Sequence, residues 1–271
     1  MTKAQSKDEG SWGKLVRDIA VILLLVLGIH SCVAKPFYIP SDSMMPVLRN
    51  GDRLIVSKYP YGWSYASASF HLAPRTEGRW FAALPARGDI VVLEHPETRI
   101  DYIKRVIGLP GDTIELRGGA LIINGKPVKR EIQPMLSIPI DPNLPGPDSG
   151  LGRFATRDAA GRPVLELPIV RETLPGGATF DTIDMGPGYV TDDFGPIKVP
   201  ADHLFLMGDN RDRSADSRFP AVENEGIGLV PEENLVGHAL VGMFSTDGSA
   251  SWLNPISWFT AARWSRIGDG F

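Results

Sequence analysis

Residues 87–112, RGDIVVLEHPETRIDYIKRVIGLPGD, carry the pattern that decides the fold. Two runs rich in apolar and β-branched residues, 89–93 and 103–107, are separated by residues that favour turns, as expected for consecutive β-strands. Runs of the same kind recur along the chain, at 53–57, 120–123 and 203–207. Because no long helical periodicity competes with these runs, the sequence predicts a mostly β protein with antiparallel sheets.

The composition excludes several classes of protein. The 271 residues include 29 Gly and 23 Pro, which is incompatible with a coiled coil or a helical bundle. A net charge of −4 provides no basic surface, so we do not expect nucleic acid as a partner. The single cysteine, Cys32, rules out an intramolecular disulfide and cysteine-based zinc or iron–sulfur sites. We predict no metal and no cofactor.

An uncharged segment lies near the start of the chain, at residues 19–34, and begins IAVILLLVLGI. It is shorter than the roughly 20 residues that cross a bilayer core, although Arg17 and Lys35 could extend it by snorkelling. A membrane anchor and a cleaved signal peptide explain it equally well, because Cys32-Val33-Ala34 offers the small residues of a processing site. Basic residues precede the segment, so in both cases the N-terminus stays cytoplasmic and the remainder is exported.

Two features could carry chemistry. Residues 39–46, IPSDSMMP, place two hydroxyls around an acid in a proline-bounded turn. Lys104 lies within a strand pattern and shares a face with Tyr102 and Val106 by alternation. If that face is buried, desolvation disfavours the ammonium and makes a neutral amine available as a base. The sequence contains no G-x-S-x-G or H-E-x-x-H motif, and its five histidines occur singly.

Three segments in this order, 41–62, 87–112 and 203–239, resemble bacterial type I signal peptidase, the membrane-bound serine protease that removes signal peptides from exported preproteins. The motifs concerned are PSDSMMP, DYIKRVIGLPGD and GDNRDRSADSR. The resemblance implies that the N-terminal segment is retained as a single-pass anchor in the bacterial cytoplasmic membrane, with the catalytic domain outside. Cys32-Val33-Ala34 then becomes a candidate self-cleavage site.

The resemblance also assigns roles to individual residues. It implies that Ser43 is the nucleophile and Lys104 its general base, acting through an acyl-enzyme without a histidine. Ser41 matches the position whose hydroxyl forms the oxyanion hole with the backbone N–H of Ser43. Met44 and Met45 are expected to border the substrate cleft, as adaptable side chains. The expected supporting residues are Ser214, which orients the lysine, the charged pair Asp216 and Arg218, and Gly208 and Asp209, which shape a turn.

The chain is expected to divide into five parts. These are a cytoplasmic N-terminus (1–17), a transmembrane anchor (18–35), a β-rich catalytic domain (36–131 and 201–248), a loop-rich inserted subdomain (132–200) and an aromatic, membrane-proximal C-terminal segment (249–271). In the last part, three tryptophans with Arg263 and Arg266 favour a lipid interface, and core packing is an equal alternative. We expect no chemistry from the inserted subdomain.

The implied partners are preprotein signal peptides and the lipid bilayer. The resemblance implies an extended peptide that adds as a strand beside the site, with small residues, usually alanine, at positions −3 and −1. One alternative is a specialised relative that matures a conjugation or pilus protein. Another is a non-catalytic anchored β-domain, for which Ser43 and Lys104 would be dispensable. The sequence leaves the oligomeric state open.

Asp42 departs from the family pattern, in which glycine commonly separates the two serines. A carboxylate near Lys104 would stabilise the ammonium and oppose the neutral form. We therefore expect Asp42 to point away from the amine or to pair with a cation such as Arg49. A second departure is the longer segment at 219–231, which we expect to alter a loop near the cleft without changing the chemistry.

Overall fold

The computed structural model describes residues 9–144, 150–223, 225–251 and 253–271. Within them, one long helix, α1 (Glu9–Cys32), precedes a body made of strands, and a short helix, α2 (Pro255–Thr260), lies near the C-terminus. The strands are β1 (Ala34–Tyr38), β2 (Asp52–Ser57), β3 (Ile90–Glu94), β4 (Asp101–Gly108), β5 (Thr113–Arg117), β6 (Ala120–Ile123), β7 (Lys126–Pro127), β8 (Lys129–Pro139), β9 (Ala155–Arg157), β10 (Pro163–Thr173), β11 (Thr179–Ile183), β12 (Phe194–Lys198), β13 (His203–Met207), β14 (Val230–Pro231) and β15 (Leu235–Ser245).

The main sheet is antiparallel and has the strand order β1-β2-β15-β3-β4-β13-β14. The predicted strand runs 89–93 and 103–107 correspond to its neighbouring strands β3 and β4, which pair with Val91 opposite Lys104. Residues of β1 and β4 line one cleft although three strands separate them in the sheet, so the sheet is strongly curled. The predicted mostly β, antiparallel fold is confirmed.

Two smaller sheets complete the body. One, called the inserted sheet below, has the order β11-β10-β8 with β9 also paired to β10, and the other has the order β12-β5-β6-β7. They correct the expected boundaries, because β8 begins at Lys129 and β12 pairs with β5 of the catalytic part. Pairing of the eleven-residue strands β8 and β10 also makes 132–200 more regular than its texture predicts. The prolines of β8 are tolerated because it is an end strand. Residues 145–149 lie outside the described residues.

Helix α1 ends earlier than the expected anchor. The helix stops at Cys32 and extended chain begins at Ala34, because Lys35 precedes Pro36 and the residue before a proline disfavours helical geometry. The part Trp12–Cys32 is long and apolar enough to cross a membrane, and none of its side chains is fully buried. Residues 1–8 of the expected cytoplasmic part lie outside the described residues.

The C-terminal segment is fastened to the body. Arg266 donates to the Asp52 carboxylate at 2.6 Å, and Arg263 donates to Asp141 at 2.5 Å. Trp258 stacks on Phe244 with ring centroids 6.4 Å apart. Trp252 lies outside the described residues. The sequence left packing against the body open as an alternative, and it is observed for Trp258 and both arginines. Other apolar side chains of the segment are exposed, namely Leu253, Ile256, Phe259 and Trp264.

Substitution of Gly237 tests the close approach of β15 to β2. A Cβ atom at this position would overlap the backbone oxygen of Ser57. We expect Gly237→Ala to lower the free energy of unfolding by about 1–3 kcal/mol, the usual cost of overpacking. Thermal unfolding of the full chain in detergent measures this change. Gly270→Ala is the matched control, because its Cβ would lie 3.9 Å from the nearest atom, Leu240 O. Equal melting temperatures for the two variants would contradict the prediction.

Candidate active site

A buried lysine and a serine form the centre of the site. Lys104 Nζ on β4 donates a hydrogen bond to Ser43 Oγ at 2.9 Å. Lys104 is 2% exposed and Ser43 is 8% exposed. Both border a cleft of about 340 Å³, whose walls come mainly from β1, the 39–43 turn and β4. The lysine amine and the serine hydroxyl are thus already in the geometry of proton transfer.

Burial sets the charge state of Lys104. Removal of the amine from water is the largest effect and lowers the pKa of Lys104 to about 8. The carboxylates of Asp216 and Asp209 oppose this shift, and Arg218 supports it. At pH 7 roughly a tenth of the amines with this pKa are neutral, against roughly one in 3,000 at the ordinary value. The site therefore supplies a base that a solvated lysine would not supply.

The strand that carries Lys104 is buried on both faces. Arg105 points to the opposite face, where its guanidinium donates two hydrogen bonds of 2.7 Å to the Asp209 carboxylate. The same guanidinium lies 4.1 Å from the ring centroid of Phe180 on β11. Alternation correctly separated Lys104 from Arg105, but it did not indicate that the second face is buried, because a paired arginine and an exposed one look alike in sequence.

The turn that carries Ser43 is held by Asn210. The backbone N–H of Asn210 donates to Ser43 O, and its side-chain amide donates to Asp42 O, both at 3.1 Å. Ser41 Oγ lies 3.3 Å from Ser43 Oγ. Among the described residues, the backbone N–H of Ser43 has no hydrogen-bond acceptor. The Ser41 hydroxyl and this N–H are therefore available beside the nucleophile, as an oxyanion hole requires.

Asp42 pairs with a cation, but with a different one from that expected. Arg213 Nε donates to the Asp42 carboxylate at 2.5 Å, so the choice of Arg49 is wrong. Arg213 lines the cleft beside Asp42. The pairing offsets much of the carboxylate's negative field, and Asp42 raises the pKa of Lys104 less than Asp216 and Asp209 do. This arrangement accommodates the departure from glycine.

The segment 208–218 supports the dyad. Asp216 accepts hydrogen bonds from Gly208 N at 3.0 Å and from Arg218 at 2.8 and 2.9 Å. Although burial opposes it, Arg218 keeps the pKa of Asp216 below its ordinary value. A Cβ on Gly208 would overlap Ser214 Oγ and Ser43 O, so this close approach requires glycine. Ser214 Oγ is buried without a hydrogen-bond partner among the described residues, and the expected contact with Lys104 is not observed.

The expected position of Met44 and Met45 is wrong. Both side chains are completely buried and neither lines the cleft. Met44 packs in the core of the main sheet, and Met45 packs in the core of the inserted sheet. The physical reason is that the chain turns after Ser43 at the seam between two cores, so the two successive methionines enter different cores. Flexible methionines fill these irregular spaces.

Sequence reasoning missed three functional neighbours, Asn210, Arg213 and Arg105. All three lie in the quoted motifs, so their proximity to the site could have been anticipated. Their partners could not, because Asp209, Asp42 and Ser43 meet them only through contacts between segments that are far apart in the sequence.

Comparisons with known proteins identify the family of this chain. A family model described as "Signal peptidase, peptidase S26" matches residues 12–244. The signal peptidase I of Rickettsia typhi is 34% identical over 263 residues, covering 91% of this chain and 89% of that protein. That of Rickettsia canadensis is 33% identical over 268 residues, covering 93% and 90%. Among solved structures, a signal peptidase I from Enterococcus faecalis V583 is 24% identical at a TM-score of 0.29, covering 58% of this chain and 97% of that one. The chain belongs to the signal peptidase family, peptidase S26, and is therefore a serine endopeptidase of signal peptides.

Proposed function

We propose that this signal peptidase cleaves by a serine–lysine dyad. The observation that carries the proposal is the buried hydrogen bond between Lys104 Nζ and Ser43 Oγ. Neutral Lys104 takes the hydroxyl proton as Ser43 attacks the scissile carbonyl, and then gives it to the leaving amine. The resulting acyl-enzyme is hydrolysed by a water molecule that Lys104 activates in the same way. The Ser41 hydroxyl and the Ser43 N–H stabilise the oxyanion.

The cleft suits an extended peptide. Its walls are largely apolar, and β1, which contributes Phe37 and Tyr38, is the end strand of the main sheet. An end strand has backbone groups available for a further strand, although Pro36 can only accept. We propose that the signal peptide adds beside the site with small residues, usually alanine, at positions −3 and −1. Alanine at these positions in a test substrate also separates this activity from that of a specialised pilus-type relative.

We propose further that α1 anchors the enzyme in the bacterial cytoplasmic membrane with the body outside, and that the loop 63–84 rests on the lipid. Trp63 Nε1 donates to Cys32 O and Ser69 N donates to Ser31 Oγ, both at 3.0 Å, so this loop is attached to the last turn of the helix. Five large apolar side chains of the loop are exposed, namely Phe70, Leu72, Trp80, Phe81 and Leu84. A helix that spans the membrane ends at the headgroup level, where such side chains are favoured.

The C-terminal segment lies farther from the helix exit than this loop. Ala34, which follows the helix, pairs with Ser57 of β2, whereas Phe244, on which Trp258 stacks, pairs with Arg53. Four residues of strand correspond to about 13 Å. The expected membrane-proximal role of 249–271 therefore has weaker support than the role of the loop 63–84.

Removing either member of the dyad tests the mechanism. We expect Ser43→Ala and Lys104→Ala each to reduce cleavage of a model preprotein in detergent by more than about 1,000-fold, because neither nucleophile nor base can be replaced. Lys58→Met is the matched control. Lys58 is also buried, with a pKa lowered to about 8 by burial, but its amine donates to Ser67 O outside the site. Retained activity in either dyad variant would refute the assignment.

The pH dependence tests the charge state of the base. Because only neutral Lys104 accepts the proton, we expect kcat/KM to rise with pH and to level off above about 8. Asp42→Asn removes a carboxylate that raises the pKa of Lys104, so the acidic limb of its profile should move to lower pH. Measured pH–rate profiles of both proteins check this. Coincident acidic limbs would remove Asp42 from the electrostatics of the site.

An environment-sensitive fluorophore tests the membrane face. In a Cys32→Ser background reconstituted into liposomes, a label at Phe81→Cys should show blue-shifted emission, because position 81 enters the interface. Val190→Cys is the control, since Val190 is equally exposed but lies in the segment leading to β12. A label at Leu253→Cys reports whether the C-terminal segment also touches lipid. Water-like emission at position 81 would contradict the proposed face.

A further inference from the structure

The turn that carries Ser43 packs against both the main sheet and the inserted sheet. Met44 lies in one core with Leu54, Val56 and Ile90 of the main sheet, whereas Met45 lies in another with Leu167 and Ile183 of the inserted sheet. Both methionines are completely buried. Because closely packed cores resist displacement, the position of Ser43 depends on both sheets.

Backbone contacts connect the inserted sheet to the segment that holds Ser43. The N–H of Ile183, at the end of β11, donates to Asp209 O at 2.9 Å, and Ile183 forms a parallel bridge with Asn210. Met185 N donates to the Asp212 carboxylate at 2.6 Å. Asn210 in turn donates to the backbone oxygens of Asp42 and Ser43. A continuous line of hydrogen bonds therefore runs from β11 to Ser43.

A buried ion pair reinforces this connection. Glu172 of β10 accepts two hydrogen bonds from the Arg211 guanidinium, at 3.2 and 2.7 Å. Glu172 is 1% exposed and Arg211 is 6% exposed. Arg130 of β8 lies 3.8 Å from the same carboxylate. Two-point pairing fixes orientation as well as distance, so the residue next to Asn210 is held in a defined place relative to β10.

We propose that Glu172 is a positioning residue for the nucleophile, acting through Arg211 and Asn210, and that the inserted sheet is thereby a working part of the active site. Glu172 touches neither member of the dyad and does not line the cleft. Its loss is expected to affect the chemical step rather than peptide binding. The inference rests on the proposed dyad, since it concerns the placement of Ser43 against Lys104.

The test is the effect of Glu172→Gln on kcat and KM separately, measured with the full chain in detergent. We expect kcat to fall by about 10- to 100-fold, the usual cost of displacing a reacting group by about 1 Å, and KM to change less than about twofold. Asp181→Asn is the matched control. It breaks a half-buried pair with Arg171 on the same sheet, 2.7 Å long, and should leave kcat and KM unchanged.

A second variant separates positioning from folding, because a buried Arg211 without its partner is destabilising. Glu172→Met combined with Arg211→Met removes both charges and should keep the melting temperature near that of the wild type. It should still show the reduced kcat. Wild-type kcat in this folded double variant, or in a folded Glu172→Gln, would overturn the proposal. Failure of the dyad itself would appear separately, as cleavage by Ser43→Ala in the same assay.

Discussion

The structure depends on keeping water away from one amine. Lys104 can act as the proposed base only because desolvation outweighs the neighbouring carboxylates and lowers its pKa to about 8. Desolvation requires a strand that is buried on both faces, and a strand buried on both faces requires a partner for Arg105. Asp209 supplies that partner through two hydrogen bonds. Burial of β4 on both faces thus accounts both for the lowered pKa of Lys104 and for the pairing of Arg105 with Asp209.

The three carboxylates that raise the pKa of Lys104 are each paired with an arginine. Asp216 is paired with Arg218, Asp209 with Arg105, and Asp42 with Arg213. A carboxylate without such a partner would raise the pKa of Lys104 further and favour its charged form. Because these acidic residues are paired, they can take structural roles close to Lys104 in space. The lysine amine can still be neutral and accept a proton.

Local pattern predicted much of the fold. Alternating apolar runs located β3, β4, β6 and β13, and the uncharged N-terminal segment located the helix. The proximity of Ser43 and Lys104 was anticipated because they lie in two separate motifs whose resemblance to a known family is specific. Long-range packing was beyond such reasoning: Met44 and Met45 look like cleft residues in sequence, and the Glu172–Arg211 pair joins residues 39 positions apart. The inserted sheet was underestimated because turn-rich composition conceals two long paired strands.

The neighbours Lys104 and Arg105 have opposite requirements, and only the alternation of β4 assigns each to its side. A slip of one residue between β3 and β4 would aim a permanently charged guanidinium at Ser43 and bury the lysine amine against Asp209. Such a misaligned chain could retain most of its strands and still be inert. Accurate strand pairing during folding is therefore a condition for activity in its own right, and specific activity would report the aligned fraction of a refolded preparation more sensitively than any measure of β content.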